Sequence, residues 1–311
     1  MTPTPSLISI VLVFHNASVT NLAAAIESVL AQNYSQWELL LVDDGSTNKS
    51  SNLARNYALL FPQHIYYLEH DHHRCLGVSA SYNRGLEQAT GQYISFLTAN
   101  QIWLPHKLQH QLSLLVKHPE SDAVFGFLEN SSVDIQLSNW EQRQYWNQKL
   151  NLALGNVSQP PDLSILLLLN HLKPFSLGDI LLHRQTIELT GKFDLKFNLA
   201  YASQMFLLQV CFHAAVLIDR QSSMNYAPSF SGSQAENFYP ETDTYPDSER
   251  LARRVYLFWL EKYLISDSIG NQAISRLIHQ QLFPNRYPWH NRVLAHLQRS
   301  FHFFRIKNLF Y

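Results

Sequence analysis

The groups best suited to chemistry stand where an apolar run stops. Asp43 and Asp44 follow Trp37 to Val42 and precede Gly45-Ser46-Thr47. A carboxylate at a strand end can accept bonds from N–H or hydroxyl donors, and Gly45 permits a tight turn beside it. Without its surroundings, Asp43-Asp44-Gly45-Ser46 could equally be a helix-capping turn, so both roles stay open. A second group, His70-Asp71-His72-His73-Arg74, is rich in imidazole. It is poorly spaced for a shared ion, because adjacent His72 and His73 converge only where the loop turns sharply. Cys75 and Cys211 are far apart in segments that read as ordinary structure, which signals neither a disulfide scaffold nor a four-thiolate zinc site. His213 has a reference pKa suited to a base, but Val210-Cys211-Phe212-His213-Ala214 reads more readily as a packed helix.

The elements that must position these groups follow from the apolar patterning. Leu7 to Phe14 is a continuous apolar run rich in β-branched residues, as an inner parallel strand requires. Ser18 to Gln32 predicts a helix, Trp37 to Val42 a strand, Asn48 to Leu60 a helix and Ile65 to Leu68 a third strand. Val78 to Ala89 is a further helix and Tyr93 to Leu97 a strand that emerges at Thr98-Ala99-Asn100-Gln101. Pro105 suits the first turn of a helix reaching Lys117, and Ala123 to Phe127 is another strand. Such βα steps favour a doubly wound sheet, with ligand groups on loops at the carboxyl ends of its strands. Beyond it, Asp179 to His183 reads as a strand, Arg184 to Thr190 as a helix closed by Gly191, and Ala202 to Ala215 as an apolar helix. Residues 130–162 read as a polar, partly helical insertion, 229–250 as a loop or flap, and the chain from Leu251 onward as helical. The tail 302–311 mixes basic and aromatic residues, and either completes a core or meets a membrane or partner.

Composition excludes several classes. The 311 residues are 46% hydrophobic and 15% charged, which argues against disorder and permits one large or two modest domains. A formal charge of -1 offers no long-range attraction to nucleic acid. The apolar run Leu163 to Leu169 is too short to span a bilayer, and the N-terminus does not read as a signal peptide. A cytoplasmic protein is expected, with peripheral attachment at the inner membrane surface left open.

Several segments, in order, resemble the family 2 inverting glycosyltransferases with the A-type fold. They are VLVFHNA (Val11 to Ala17), AIESVLAQNYSQWELLLVDDGSTNKS (Ala25 to Ser50), GVSASYNRGLEQATGQYISFL (Gly77 to Leu97) and IWLPHKL (Ile102 to Leu108), with a weaker match at HLKPFSLGDILLHRQTIELTGKFD (His171 to Asp194). The resemblance implies an α/β, Rossmann-like, mostly parallel sheet flanked by helices, here with a C-terminal helical extension. It implies a nucleotide-sugar-binding half at 1–128 and an acceptor-side half at 129–228, while the possible flap loop and C-terminal helices at 229–311 rest on composition and apolar spacing, because roughly the last 100 residues carry little of the resemblance. It also implies a nucleoside-diphosphate sugar donor, a glycan or lipid-linked hydroxyl acceptor, and Mg²⁺ or Mn²⁺; a partner glycosyltransferase is a further expectation. Asp44, with Asp43 beside it, falls where such enzymes contact base and ribose. Phe14, His15 and Asn16 would line the same pocket, unless Phe14 simply packs in the core. Arg74 would reach the base or a phosphate, or belong to a solvated loop. Asn83 and Arg84 offer either structural bonds or phosphate or sugar contacts.

Two departures from the family pattern bear on mechanism. The resembled enzymes carry an Asp-any-Asp-Asp pattern that binds the metal, and Thr98, Ala99, Asn100 and Gln101 stand there instead. Their general base lies in a Glu-Asp pair opening a helix, where this chain has Ser203 and Gln204; neither is a competent base at neutral pH. Asp194 corresponds to a structural turn. Glu236, Glu241 and Asp243 on the flap, or Asp179, are the acids that could compensate. The expectations are therefore a glycosyltransferase-like protein that, if active, performs inverting transfer of a sugar to a hydroxyl acceptor, or a catalytically inactive nucleotide-sugar or glycan binding or scaffolding module.

Overall fold

The computed structural model describes residues 6–127, 153–164, 175–197, 202–221 and 223–226. The chain divides into two compact units, Met1–Thr242 and Asp243–Tyr311, and every described residue lies in the first. The expected flap at 229–250, its acids Glu236, Glu241 and Asp243, the helices from Leu251 onward, the aromatic tail and most of the 130–162 insertion lie outside the described residues.

The described residues form ten strands and six α-helices, in βα alternation from β1 to β4. The strands are β1 (Ile8–Phe14), β2 (Trp37–Asp43), β3 (Ile65–Glu69), β4 (Tyr93–Thr98), β5 (Gln101–Trp103), β6 (Ala123–Phe127), β7 (Val157–Ser158), β8 (Phe175–His183), β9 (Val216–Asp219) and β10 (Met224–Tyr226). The helices are α1 (Val19–Leu30), α2 (Ser50–Leu60), α3 (Val78–Gln88), α4 (Lys107–Lys117), α5 (Arg184–Thr190) and α6 (Ala202–His213). Eight strands form one sheet in the order β3-β2-β1-β4-β8-β6-β9-β7, and β10 pairs with β5 in a separate ribbon. Strands β1 and β2 are buried along their whole length, as their mainly apolar sequences require of strands covered on both faces, and the buried Ser9 hydroxyl donates to Glu38 Oε1 at 2.6 Å.

Register decides where the chemistry sits. Parallel pairing sets Phe14 opposite Asp43, Asp43 opposite Glu69, and Val13 opposite Thr98. The carboxyl ends of β1 to β4 therefore form one edge, where an open α/β sheet collects ligand groups. Helix α3 lies close against this sheet: a Cβ on Gly85 would stand 2.3 Å from Val11 Cγ1, so glycine sets the helix-to-strand distance.

The later strands depart from a purely parallel arrangement. β8 runs antiparallel to both β4 and β6, while β6 and β9 are parallel. It also starts at Phe175, four residues before the start expected from sequence, so Asp179 lies inside the strand. The apolar run from Ala202 onward was expected to be one helix to Ala215; it ends at His213, and Val216 to Asp219 turns back as β9.

Candidate functional site

The turn after β2 is held by its own acid. Asp43 is fully buried; its Oδ1 accepts the Ser46 backbone N–H at 2.8 Å, and its Oδ2 accepts the Tyr67 hydroxyl at 2.9 Å. The same phenol lies 2.9 Å from Glu69 Oε2, and its single proton can serve only one carboxylate at a time. Burial, with Asp43 beside it, pushes the Tyr67 phenol well above the usual range. Gly45 completes the turn at φ +69, and a Cβ there would stand 2.6 Å from the Cys75 backbone nitrogen. Gly45→Ala combines a left-handed backbone with a clash against main chain. It is expected to destabilise the fold by about 1–3 kcal/mol, read as a lower urea midpoint at unchanged slope.

Asp44, also fully buried, reaches across to the segment between β3 and α3. Its Oδ1 accepts the backbone N–H groups of Leu76 at 2.8 Å and Gly77 at 3.1 Å. Its Oδ2 accepts Gly77 N–H at 3.0 Å and the Cys75 thiol at 3.4 Å. Gly77 is the N-cap of α3, so this carboxylate supplies negative charge where a helix presents unpaired amides. These bonds run to the backbone at the start of α3 and not to the helix that follows Asp44 in the chain. At α2 it is Asn48 Oδ1 that accepts Ser50 N–H, at 3.0 Å.

The β1 end is tied into the same rim. His15 Nδ1 lies 2.7 Å from the Asp44 carbonyl oxygen and so donates to it. In the neutral ring this leaves the lone pair on Nε2, where the Asn16 side-chain amide donates at 3.1 Å. Asn16 sits at φ 46, a conformation asparagine tolerates better than most residues. Its N–H donates to Ser46 Oγ at 2.8 Å, and its Oδ1 accepts Thr47 N–H at 2.7 Å and Asn48 N–H at 3.3 Å. Core packing, one of the two roles open for Phe14, describes its ring: it is completely buried in the main apolar cluster.

The segment from His70 to Gly77 assigns its three imidazoles to different tasks. His70 is buried, with Nε2 2.8 Å from Ser81 Oγ and 3.7 Å from Asp44 Oδ1, and burial lowers its pKa. His72 and His73 both adopt left-handed backbone, φ 59 and 54. His73 faces two acceptors, the Ser46 carbonyl at 2.7 Å and Glu69 Oε2 at 2.9 Å. The carbonyl bond chiefly, with help from the carboxylate, raises its pKa. Arg74 is exposed and donates from Nε to the Asp71 carbonyl at 3.2 Å. Among the described residues, the groups close enough to share an ion are not these histidines. They are His15, Asp44 and Cys75, whose ligand atoms lie within 4.8 Å of one another.

The segment that stands where the resembled enzymes carry their metal motif is closed by neutral pairing. Asn100 Oδ1 accepts the Asn21 amide at 3.2 Å. Gln101 is buried; its Nε2 donates to Ser176 Oγ at 2.8 Å and its Oε1 accepts Thr98 N–H at 3.3 Å. With no carboxylate among Thr98, Ala99, Asn100 and Gln101, this segment does not fit a hard divalent ion. Ser203 and Gln204 lie half-buried in the first turn of α6. Asp194 accepts Lys196 N–H at 2.9 Å, as a structural turn requires. Asn83 pairs with both backbone groups of Phe193, each at 2.9 Å, which fastens the approach to α6 onto α3.

The glycosyl transferase family 2 model matches residues 9–167, about half of the chain. Among curated relatives, the UDP-Glc:alpha-D-GlcNAc-diphosphoundecaprenol beta-1,3-glucosyltransferase WfgD of Escherichia coli is 33% identical over 112 residues, covering 36% of this chain and 42% of that protein. An uncharacterized glycosyltransferase of Rickettsia typhi is 28% identical over 152 residues, covering 48% of this chain and 45% of its own. The matched segments thus span less than half the length of these relatives. Among solved structures, the mannosyltransferase PcManGT from Pyrobaculum calidifontis, in complex with GDP-Man and Mn²⁺, superposes with a TM-score of 0.59 at 15% identity, covering 92% of this chain and 72% of that one. TarS 1-349 of S. aureus in complex with UDP-GlcNAc gives 0.55 at 13% identity, covering 91% and 73%. At such identities the likeness is one of fold, and it agrees with the mixed, mostly parallel sheet flanked by helices. By its sequence match, and with the A-type glycosyltransferase fold beneath it, this chain belongs to glycosyl transferase family 2.

Proposed function

We propose that this glycosyltransferase-like protein binds a nucleoside-diphosphate sugar at the carboxyl edge of β1 to β4, without an ion held at residues 98–101. The observation that carries the reading is the locked rim. Asn16 joins the β1 end to the turn after β2, and Asp44 joins that turn to the start of α3. A rim already ordered loses little entropy when a ligand arrives. Asp43 and Asp44 shape it, and the amide face of Asn16 borders it. The exposed Arg74 guanidinium supplies charge for a diphosphate that no divalent ion would neutralise. The fold neighbours named with GDP-Man and UDP-GlcNAc support a donor of this class.

Transfer is the second reading, favoured by family membership itself. It needs a general base, and the chain offers Ser203 and Gln204 where the family pattern places acids. Asp179 does not fill that role: it is fully buried, accepting Gln111 Nε2 at 3.2 Å and Ser223 N–H at 3.0 Å. A glycan or lipid-linked acceptor, a partner transferase and a cytoplasmic or membrane-peripheral location belong to the same proposal. Among the described residues, no helix is long and apolar enough to cross a membrane.

A panel of UDP- and GDP-sugars, followed by calorimetry with chelator or with Mn²⁺, tests the reading. At least one donor should bind equally well in chelator, and Arg74→Ala should weaken it about tenfold through a lost charge-assisted contact. Acceptor-dependent release of nucleoside diphosphate would establish transfer. Failure of every donor to bind the folded chain, or binding only with Mn²⁺, would overturn the proposal.

A further inference from the structure

We infer that His15, Asp44 and Cys75 form a binding site for a thiophilic divalent cation of the Zn²⁺ class. One ring nitrogen, one carboxylate oxygen and one sulfur, from three different loops, come within 4.8 Å of one another. Ligand atoms around tetrahedral zinc are roughly 3.5 Å apart, so the trio closes on an ion with shifts of about an ångström. Imidazole with thiolate selects zinc over Mg²⁺ or Mn²⁺, which prefer all-oxygen sites. The site is thus chemically unlike the family's acidic motif, whose counterpart here is neutral.

The surroundings are those of a ligand set rather than a chance cluster. The His15 Nδ1–H donates to the Asp44 carbonyl at 2.7 Å, which leaves Nε2 as the ligating nitrogen, and an ion there takes the place of the Asn16 amide that donates to it at 3.1 Å. A backbone acceptor on the far nitrogen is the usual means of fixing a metal-binding imidazole in its tautomer and orientation. The Asp44 carboxylate is in turn oriented by the Leu76 and Gly77 amides. Cys75 is exposed, giving an ion a route in and leaving a fourth position for water. On binding, the thiol proton leaves to solvent and a sulfur–metal bond replaces the 3.4 Å contact with Asp44 Oδ2. This inference does not depend on nucleotide binding, which is measured separately in chelator.

The test is a Co²⁺ titration of the full chain, kept reduced with a non-thiol reductant. A thiolate-to-cobalt absorption band should rise to one ion per chain, be displaced by Zn²⁺, and be unaffected by Mg²⁺. Cys75→Ser, at an exposed position that retains a hydroxyl donor, should abolish the band at an unchanged melting temperature. His15→Gln, which removes a direct ligand, should weaken affinity at least about 10-fold, the lower bound for losing even an outer-shell partner, and Cys211→Ala, which alters a buried residue of α6, should leave the band intact. The site is overturned by any of three results: no band in the folded wild type, a band that survives Cys75→Ser, or unchanged affinity in His15→Gln.

Discussion

Lys107→Met should lower the unfolding free energy by about 3–5 kcal/mol, the cost typical of breaking a buried charge arrangement from one side. Lys107 opens α4 and is completely buried. Its ammonium donates to Gln111 Oε1 at 2.8 Å and Ser95 Oγ at 3.1 Å, with the Ile180 carbonyl at 3.4 Å, and lies 4.1 Å over the Trp103 ring. Asp179 is buried on β8, and its attraction opposes deprotonation of Lys107. Methionine fills the volume but removes the cation, leaving a buried carboxylate without that compensation. Urea unfolding of Lys107→Met, Asp179→Asn and the double variant should show the double less destabilised than the sum, by about 1–3 kcal/mol. Strict additivity would show that the two groups act independently.

The same lysine gives a signed dependence on pH. Burial lowers its pKa from the ordinary 10.5 to about 8, against the pull of Asp179. Between these values the unfolded chain holds a proton that the folded chain has released, so stability attributable to Lys107 rises with pH across that window. The gap between wild type and Lys107→Met should therefore be smallest below about pH 8 and widen toward pH 10.5. Thermal melts of both proteins across that range check the sign, and a gap that narrows would contradict it.

What was legible in sequence follows what local pattern encodes. Strands β1 and β2 are buried throughout, so their runs read as inner strands, and the acids that end β2 read as edge groups. The partners of Asp44 were not legible, because the amides of Leu76 and Gly77 belong to main chain and carry no residue signature. Cys75 read as ordinary structure, since its nearness to His15 and Asp44 arises only from the β1–β2–β3 register. Strands β5 and β10 have three residues each, too short for a period to show. The start of β8 was hidden by Ser176 and Gly178, whose roles are tertiary: Ser176 accepts from Gln101, and Gly178 leaves room for the Gln101 side chain.

Asp44→Asn should do two separable things, and the pair of effects distinguishes a shaping residue from a mere contact. An amide replaces one acceptor oxygen with a donor, so the Leu76 and Gly77 N–H groups and the Cys75 thiol compete for the oxygen that remains. Bonds to a charged acceptor are about twice as strong as neutral ones, and each buried donor left unpaired costs about 1–3 kcal/mol. A net loss of about 2–4 kcal/mol is expected, with hydrogen exchange accelerated at Leu76 and Gly77 well beyond the global change. Nucleotide affinity should fall with it, because the start of α3 and the turn at Gly45 lose their common anchor. Arg74→Ala supplies the contrast: its side chain is exposed, so it should weaken donor binding while leaving stability and exchange unchanged. If Asp44→Asn instead weakened binding with no change at Leu76 and Gly77, the carboxylate would be meeting the ligand directly, and the rim would owe its order to Asn16 and the Asp43 turn.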